Sequence, residues 1–552
     1  MSFLKRIKII GFILILALLT AACEQLDDFR VSPQILSFTA SPDGSVEAGT
    51  EVTLSWNIVG GGEDFPVTLT PGDVSLEKTG SYEVTPSETT RYVLSAGSEG
   101  NLSTSALTVE VTGATGVPDE PGNPDEPSNP GEDGKVIEGD VTVTNQAELD
   151  ELEGVERIEG YFGITTEAET LDFSPLDSLR ILGKTLAVYD SPNLKLIEGF
   201  PSLVSIGVGA SIDVARYLRI RDNPKLTEIK GFEALEEIGY LVVSNNNSLQ
   251  QFSGFSNLRE GAVVISENAL LETLPEFESL VSAIYRVGLF GGISIKRNPK
   301  LATLDSFNNL RRTNGLVILS NDALTSVTGF SSLLEIGIGA DGNDEVGFVI
   351  ANNNSLTEIR GFDSATNIRG FEIIENPKLK LISGFSSMIR GGNSRQGFSM
   401  SDNPELQEIS GFDALEVAEP GLRLTNLPKL KSIPSFDALV NQAAISIENT
   451  GLTSVAGFNN LTAGGVRISE NLALTEMTGF NSFTEAEFSN ITITLNPALT
   501  QISGFESLED GSRTTISDNS SFDCSAEPQA SLPFLPVQSS ESNSVDCPTI
   551  DD

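Results

Sequence analysis

The sequence predicts an all-β chain: a β-sandwich followed by a long β-helical solenoid. Three observations carry this. From Leu186 to Phe522 one phrase, x-I-x-x-N-P-x-L-x-x-I-x-G-F-x-x-L, returns fourteen times, as in "LRIRDNPKLTEIKGFEALEEIG" from Leu218 to Gly239. Each copy opens with apolar residues at alternate positions, the period of a strand. Ahead of the repeats, residues 33–113 alternate apolar and polar residues between Gly and Pro turns. With 552 residues and 39% hydrophobic content, the chain is long enough for more than one core.

The first 23 residues, "MSFLKRIKIIGFILILALLTAAC", carry Lys5, Arg6 and Lys8, then a short apolar run, then small residues. That is the layout of a secretory signal, too short for a good spanning helix. The ending "LTAAC" resembles a bacterial lipoprotein signal. The resemblance implies a signal peptide over 1–23, with Cys23 lipidated as the new first residue and residues 24–32 as a tether. Thr20 stands where that family usually has Leu, and Leu19 lies one place further back. An ordinary signal cut near Ala22 is the alternative. "EQLDD" after Cys23 resembles surface-export tags of some Gram-negative lipoproteins. The implied location is the cell envelope, lipid-anchored in the outer membrane and facing the exterior or the periplasm. The membrane is then met only through the N-terminal lipid.

Residues 33–113 hold "TEVTLSWNI", "PVTLTPG", "GSYEVTP", "TTRYVLSA" and "ALTVEVT". About seven short strands with one Trp suit a sandwich. The run resembles bacterial immunoglobulin-like modules, which implies a core role for Trp56 and a tyrosine-corner role for Tyr92. Residues 114–136 are dominated by Pro, Gly and acids ("GVPDEPGNPDEPSNPGEDG") and read as an extended, charged linker.

The solenoid is expected over 137–523. In each copy a short strand such as "LRIRD" points Leu218 and Ile220 inward and Arg219 and Arg221 outward. An Asn then ends the strand, in a column that includes Asn223, Asn246, Asn353, Asn449 and Asn519, with Ser191 and Leu427 in two copies. A buried Asn there can bond the backbone of its own turn and of the next coil. Phe200, Phe232 and their successors to Phe505, with the aliphatic positions, fill the core. No coil can bury its apolar side alone, so coils stack. At about 4.8 Å per coil, fourteen make a rod roughly 65 Å long.

Most Phe-to-Phe spacings are about 22 to 25 residues, within the leucine-rich-repeat range. The pattern differs from the common form: N-x-x-L replaces N-x-L, and the G-F step has no helix signal. It is more similar to the receptor L domain of insulin- and growth-factor-receptor ectodomains and some fungal wall proteins. "GDVTVTNQAELDELEGVERIEG" from Gly139 is typical of that family's first coil. The resemblance covers about Gly139 to Phe522. It implies a ligand-binding or wall-associated module, one extended L domain or two fused.

The outward strand positions suggest where a ligand sits. Val317, Leu319, Val349, Ala351 and Ile374 form an expected apolar patch on three successive coils. Contiguous exposed apolar surface marks interfaces; ordinary β-favouring residues, or an insertion folded over them, are the alternative. Tyr189, Arg219, Arg221, Lys296, Arg423 and Arg467 lie on the same face. They suit an anionic glycan or an acidic partner, unless neighbouring acids already pair with them. Four longer spacings place extra residues at about 204–217, 281–292, 334–347 and 389–397. Insertions at one point of the cycle project from one edge, often a binding edge. "VSAIYRVGLFGG" brings Tyr285 and Phe290 there, and "GADGNDEVG" brings Asp341, Asp344 and Glu345. The acidic stretch lacks full calcium-loop spacing and reads as a solvated turn.

The composition excludes several functions. There is no histidine, so a Ser-His-Asp triad, a Cys-His pair and a His-based zinc site are ruled out. The 34 Lys+Arg against 77 Asp+Glu give a net charge of −43, which repels nucleic acid. Such acidity also suits a saline habitat. No cofactor or metal is implied. The residual cysteines, Cys524 and Cys547, are expected to form a disulfide in a cap over 524–552, contributing about 3 kcal/mol. A carboxylate-based polysaccharide enzyme would need acids clustered on a strand face, where only Glu372 stands. The favoured reading is a surface-exposed binding or adhesion protein for a protein or glycan. A structural envelope component is the second reading and the enzyme the third.

Overall fold

The computed structural model describes residues 34–42, 46–59, 66–70, 74–87, 90–96, 103–109, 111–112, 135–207, 216–284, 292–337, 347–392, 397–440, 444–485, 491–509 and 514–522. Cys23, Cys524, Cys547, Tyr285, Phe290, Asp341, Asp344 and Glu345 lie outside the described residues, as do the signal peptide, the tether, the cap and most of the linker. The chain divides into two compact units, Met1–Asn129 and Pro130–Asp552.

In the first unit, strands Gln34–Ser41, Val52–Val59 and Thr79–Val84 pair antiparallel in one sheet. Val67–Thr70, Val74–Ser75, Thr90–Ala96 and Ser103–Val109 form a second. Alternate residues Val52, Leu54, Trp56 and Ile58 face one core, which they share with Leu69, Tyr92 and Leu94. Trp56 Nε1 donates to the Glu77 carbonyl at 2.9 Å, so the buried indole keeps a partner. Burial raises the Tyr92 hydroxyl pKa, against a smaller lowering by its bond with Thr90.

The second unit is a β-solenoid of about fifteen turns over residues 135–517. Each coil has three sides. The front strand, for example Tyr217–Arg221, is followed by a side strand such as Glu228–Lys230 and then by a rear segment that begins at Glu237. Each strand pairs in parallel with its counterpart in the next coil: Leu218 with Leu241, Ile229 with Phe252, Glu237 with Glu260. The front ladder runs from Val141–Val143 to Thr514–Ser517. Two coils therefore precede Leu186. Asn145 caps the short helix Gln146–Asp150 in the first of them by accepting from Glu148 N–H. The Glu148 carboxylate accepts in turn from Thr144 N–H at 2.7 Å.

Two inner columns hold the coils together. The Phe rings stack along the axis, with centroids 5.0 Å apart for Phe277 and Phe307 and 5.1 Å for Phe362 and Phe385. The Asn column is a hydrogen-bond relay, interrupted at Leu427, which has no side-chain amide to pass it on. Asn353 Nδ2 donates to Ile318 O in the preceding coil (3.1 Å) and to Ala351 O in its own turn (3.0 Å). Its Oδ1 accepts from Asn321 N–H (3.0 Å), and its own N–H donates to Asn376 Oδ1 in the next coil (3.1 Å). Asn449 does not join this column. It lies one place early, and Thr450 takes the position, its N–H and hydroxyl both donating to Asn471 Oδ1. Asn449 instead occupies the left-handed residue (φ 51°) that precedes the column in each coil, where Asp222, Asn245 and Asn426 also sit.

The side ladder is broken twice. It comprises three sheets, Leu196–Glu198 to Gln251–Phe252, Thr303–Leu304 to Glu408–Ile409, and Ser454–Gly457 to Gln501–Ile502. In unbroken coils the residue after the inward aliphatic donates to the preceding coil: Ser253 to Ile229 O, Ser383 to Ile359 O, Ser410 to Ile382 O. At the breaks that residue is Pro275 or Pro434, which has no N–H to give. A groove of about 450 Å³, lined in part by Gln407, Ser410, Lys431 and Pro434, opens at the second break.

Candidate functional site

The front face presents side chains from successive coils in fixed register over the longest unbroken ladder among the described residues. One outward column reads Ala187, Arg219, Val242, Val264, Ser294, Val317, Val349, Glu372, Ser399 and Arg423, paired coil by coil. The second runs beside it through Tyr189, Arg221, Lys296, Leu319, Ala351 and Ile374. Ser446 and Glu448 fill the coil between Arg423 and Arg467.

The apolar patch is contiguous but not exposed as expected. Val317, Leu319, Val349 and Ile374 are half-buried, and Ala351 is 1% exposed. Ala351 is the smallest of the five and stands between Leu319 and Ile374 in the ladder, so its larger neighbours cover it. Glu372 enters the patch beside Val349, and burial raises its carboxyl pKa.

The basic residues divide. Arg221 pairs with Asp222 at 2.9 Å, and Arg467 with Glu448 at 3.1 Å. These exposed or half-exposed pairs are worth little in stability, but they occupy two of the expected cations. Burial, then the nearby Arg297 charge, lowers the Lys296 pKa. Arg423 is exposed and makes no ion pair among the described residues. The Arg219 guanidinium lies 4.4 Å from the Tyr217 ring centroid, a cation–π contact.

Sequence reasoning missed the aromatic part of this site. Tyr217 and Tyr240 project two positions before Arg219 and Val242 and stack at 5.1 Å. Tyr161 bonds with Tyr189, and its hydroxyl pKa is pushed up to about 12, first by burial and then by that bond. The Tyr161 ring lies against Gly163, where an added Cβ would fall 2.6 Å from Cε1. Tyr161, Tyr189, Tyr217 and Tyr240 thus gather with Arg219 and Arg221 at the start of the front face. The signal was available, since these are four of only seven tyrosines in the chain. Farther along, the column of Tyr217 and Tyr240 becomes Gly315, Gly347, Gly370 and Gly397. A Cβ at Gly347 would meet Arg369 O and Gly370 O, so that position can carry no side chain.

Among the described residues, no group of three His, Cys, Asp or Glu side chains could hold a metal ion. No helix there is long and apolar enough to cross a membrane. Comparison with known proteins found no matching family model, curated protein or solved structure.

Proposed function

We propose that the chain is an envelope-anchored, surface-exposed binding protein whose solenoid recognises a protein or glycan through its front face. In this reading Cys23 carries the lipid and the first unit is an immunoglobulin-like sandwich. The repeats are a receptor L-domain-like module, and a Cys524–Cys547 disulfide closes the cap. One observation supports recognition above all: the inner columns repeat while the outer columns do not. Phe and Asn recur coil after coil, whereas the front positions change from Arg to Val to Ser to Glu. A simple spacer has no need of that variety, and a surface fitted to a ligand does. Half-buried Tyr217, backed by the buried Tyr240 and covered by the Arg219 guanidinium, holds that cation in place at the front face, where it suits a carboxylate or an anionic sugar. The pairing of Arg221 and Arg467 with chain acids favours the structural component as the second reading.

The test is a glycan-array and envelope-extract screen of the chain beside an Arg219→Ala/Arg423→Ala variant. A hit lost in the folded variant supports front-face recognition. No hit, or a hit indifferent to the variant, sinks it.

A further inference from the structure

From Val281 to Val440, a single column on the edge between the side and rear faces carries exposed apolar side chains in every second coil. Each residue follows the buried position that closes the G-F-x-x-L step. Backbone bonds run along it: Arg311 N–H to Val281 O (2.9 Å), Leu334 to Arg311 O (2.8 Å), Thr366 to Leu334 O (2.9 Å). They continue from Ile389 to Thr366 O (2.9 Å), Glu416 to Ile389 O (2.8 Å) and Val440 to Glu416 O (3.1 Å). The seven residues therefore stand in line. Val281, Leu334, Ile389 and Val440 are 42%, 37%, 43% and 50% exposed, and they are half of the exposed large hydrophobics among the described residues. Coil spacing puts them about 9.6 Å apart. Arg311 and Glu416, between them, are exposed and make no ion pair among the described residues.

The order Val-Arg-Leu-Thr-Ile-Glu-Val is self-complementary about Thr366. Reversal lays apolar on apolar and Arg on Glu. In the next column only the innermost pair matches: Glu335 and Arg390 flank Asn367, each already paired within the chain with Arg312 and Glu419, while one step out Arg312 stands opposite Val417. On the other flank stand the small residues Ser332, Ser364 and Ser387, which permit close approach.

We propose that this ridge is a self-association surface, on which a second copy of the chain packs antiparallel about a two-fold axis through Thr366. The axis sets Leu334 against Ile389 and Val281 against Val440 of the other copy, and Arg311 against its Glu416. Such a contact is isologous, so each pairing occurs twice. A second solenoid matches the ridge because it has the same coil spacing; an extended strand repeats its side chains about every 6.6 Å on one side and drifts out of phase. The ridge spans six coil steps, about 29 Å. That supports roughly 1,000 Å² of total buried surface, the lower limit for a specific interface. The dimer is therefore weak, and because the chain carries −43, salt strengthens it by screening repulsion. The inference stands apart from whichever ligand the front face takes.

Sedimentation velocity of the Cys23→Ser chain tests this, from about 1 to 200 µM, a range suited to an interface of this size. The expected result is a monomer–dimer equilibrium that shifts to dimer with salt. Leu334→Asp weakens it at least about tenfold, as loss of a central apolar contact does. Arg311→Glu also weakens it about tenfold by facing Glu416 with a like charge, and Arg311→Glu/Glu416→Arg restores it. Thr366→Cys, at the axis, yields a disulfide-linked dimer on mild oxidation, whereas Thr484→Cys farther along the column does not. Circular dichroism confirms that each variant is folded. A monomer at every concentration, failure of the double exchange to restore association, or equal cross-linking from Thr484→Cys overturns the proposal.

Discussion

The front and side ladders of the solenoid are built from the same coils, yet one runs unbroken and the other breaks twice. The front strands are four or more residues long in most coils, and buried Asn amides close their ends. The side strands are mostly two residues long and are tied at two places per step, as by Lys380 N–H to Thr357 O and Ser383 N–H to Ile359 O, the second of which a proline removes. Proline at that one position, Pro275 or Pro434, interrupts the side ladder without stopping the stack. Continuity of the solenoid therefore rests on the front ladder and on the Phe and Asn columns beneath it.

The strongest way to break the contrast is to attack the Asn column. Asn353→Leu removes an acceptor and two donated bonds at a fully buried site, so a loss of about 3 kcal/mol or more is expected in urea unfolding. Next comes a matched pair of prolines. Glu372→Pro in the front ladder is expected to cost about 2–3 kcal/mol, and Ser383→Pro in the side ladder about 1 kcal/mol, because the fold already accepts that break twice. Equal costs would erase the distinction between the ladders. The register correction gives a smaller test. Thr450→Val is expected to cost about 1 kcal/mol by losing its bond to Asn471, whereas Asn449→Gly stays within about 0.5 kcal/mol because glycine accepts its left-handed backbone.

The smallest effect is in pH. Burial raises the Glu372 carboxyl pKa above its ordinary 4.5, so the folded state holds this proton more tightly than the unfolded state. Its contribution is then greatest below 4.5 and is lost as pH rises through the raised value. Glu372→Gln should melt higher than the parent chain at pH 7, and the gap should close toward pH 4. A gap that is constant with pH would mean that the carboxyl does not titrate in the patch.

Much of the front face was legible in the sequence because strand alternation has a period of two and every coil repeats it. Arg219 and Arg221 stand outward and Leu218 and Ile220 inward for that reason. The exposure of the apolar patch was not legible, because Ala351 is covered by neighbours from other coils, a relation no single copy contains. Tyr217 and Tyr240 were missed because their column is glycine in six successive coils, from Gly292 to Gly421, so it did not read as a position for side chains. Asn449 misled because the turn has adjacent places that both suit asparagine, one for its amide bonds and one for its backbone angle. The side-ladder breaks were written in "LPEF" and "IPSF", but their meaning depends on which N–H faces the neighbouring coil.

The two prolines also bear on how the solenoid comes apart. A stack in which each coil touches only its neighbours lets disorder spread along it one coil at a time, and a missing bond between neighbours is where local opening costs least. Pro275 and Pro434 thus act as seams that loosen the side face at two places, while the front ladder still ties the coils on either side together. Fraying of the side face is therefore expected to begin beside these seams, far from the tyrosine cluster near residue 189 in the case of Pro434.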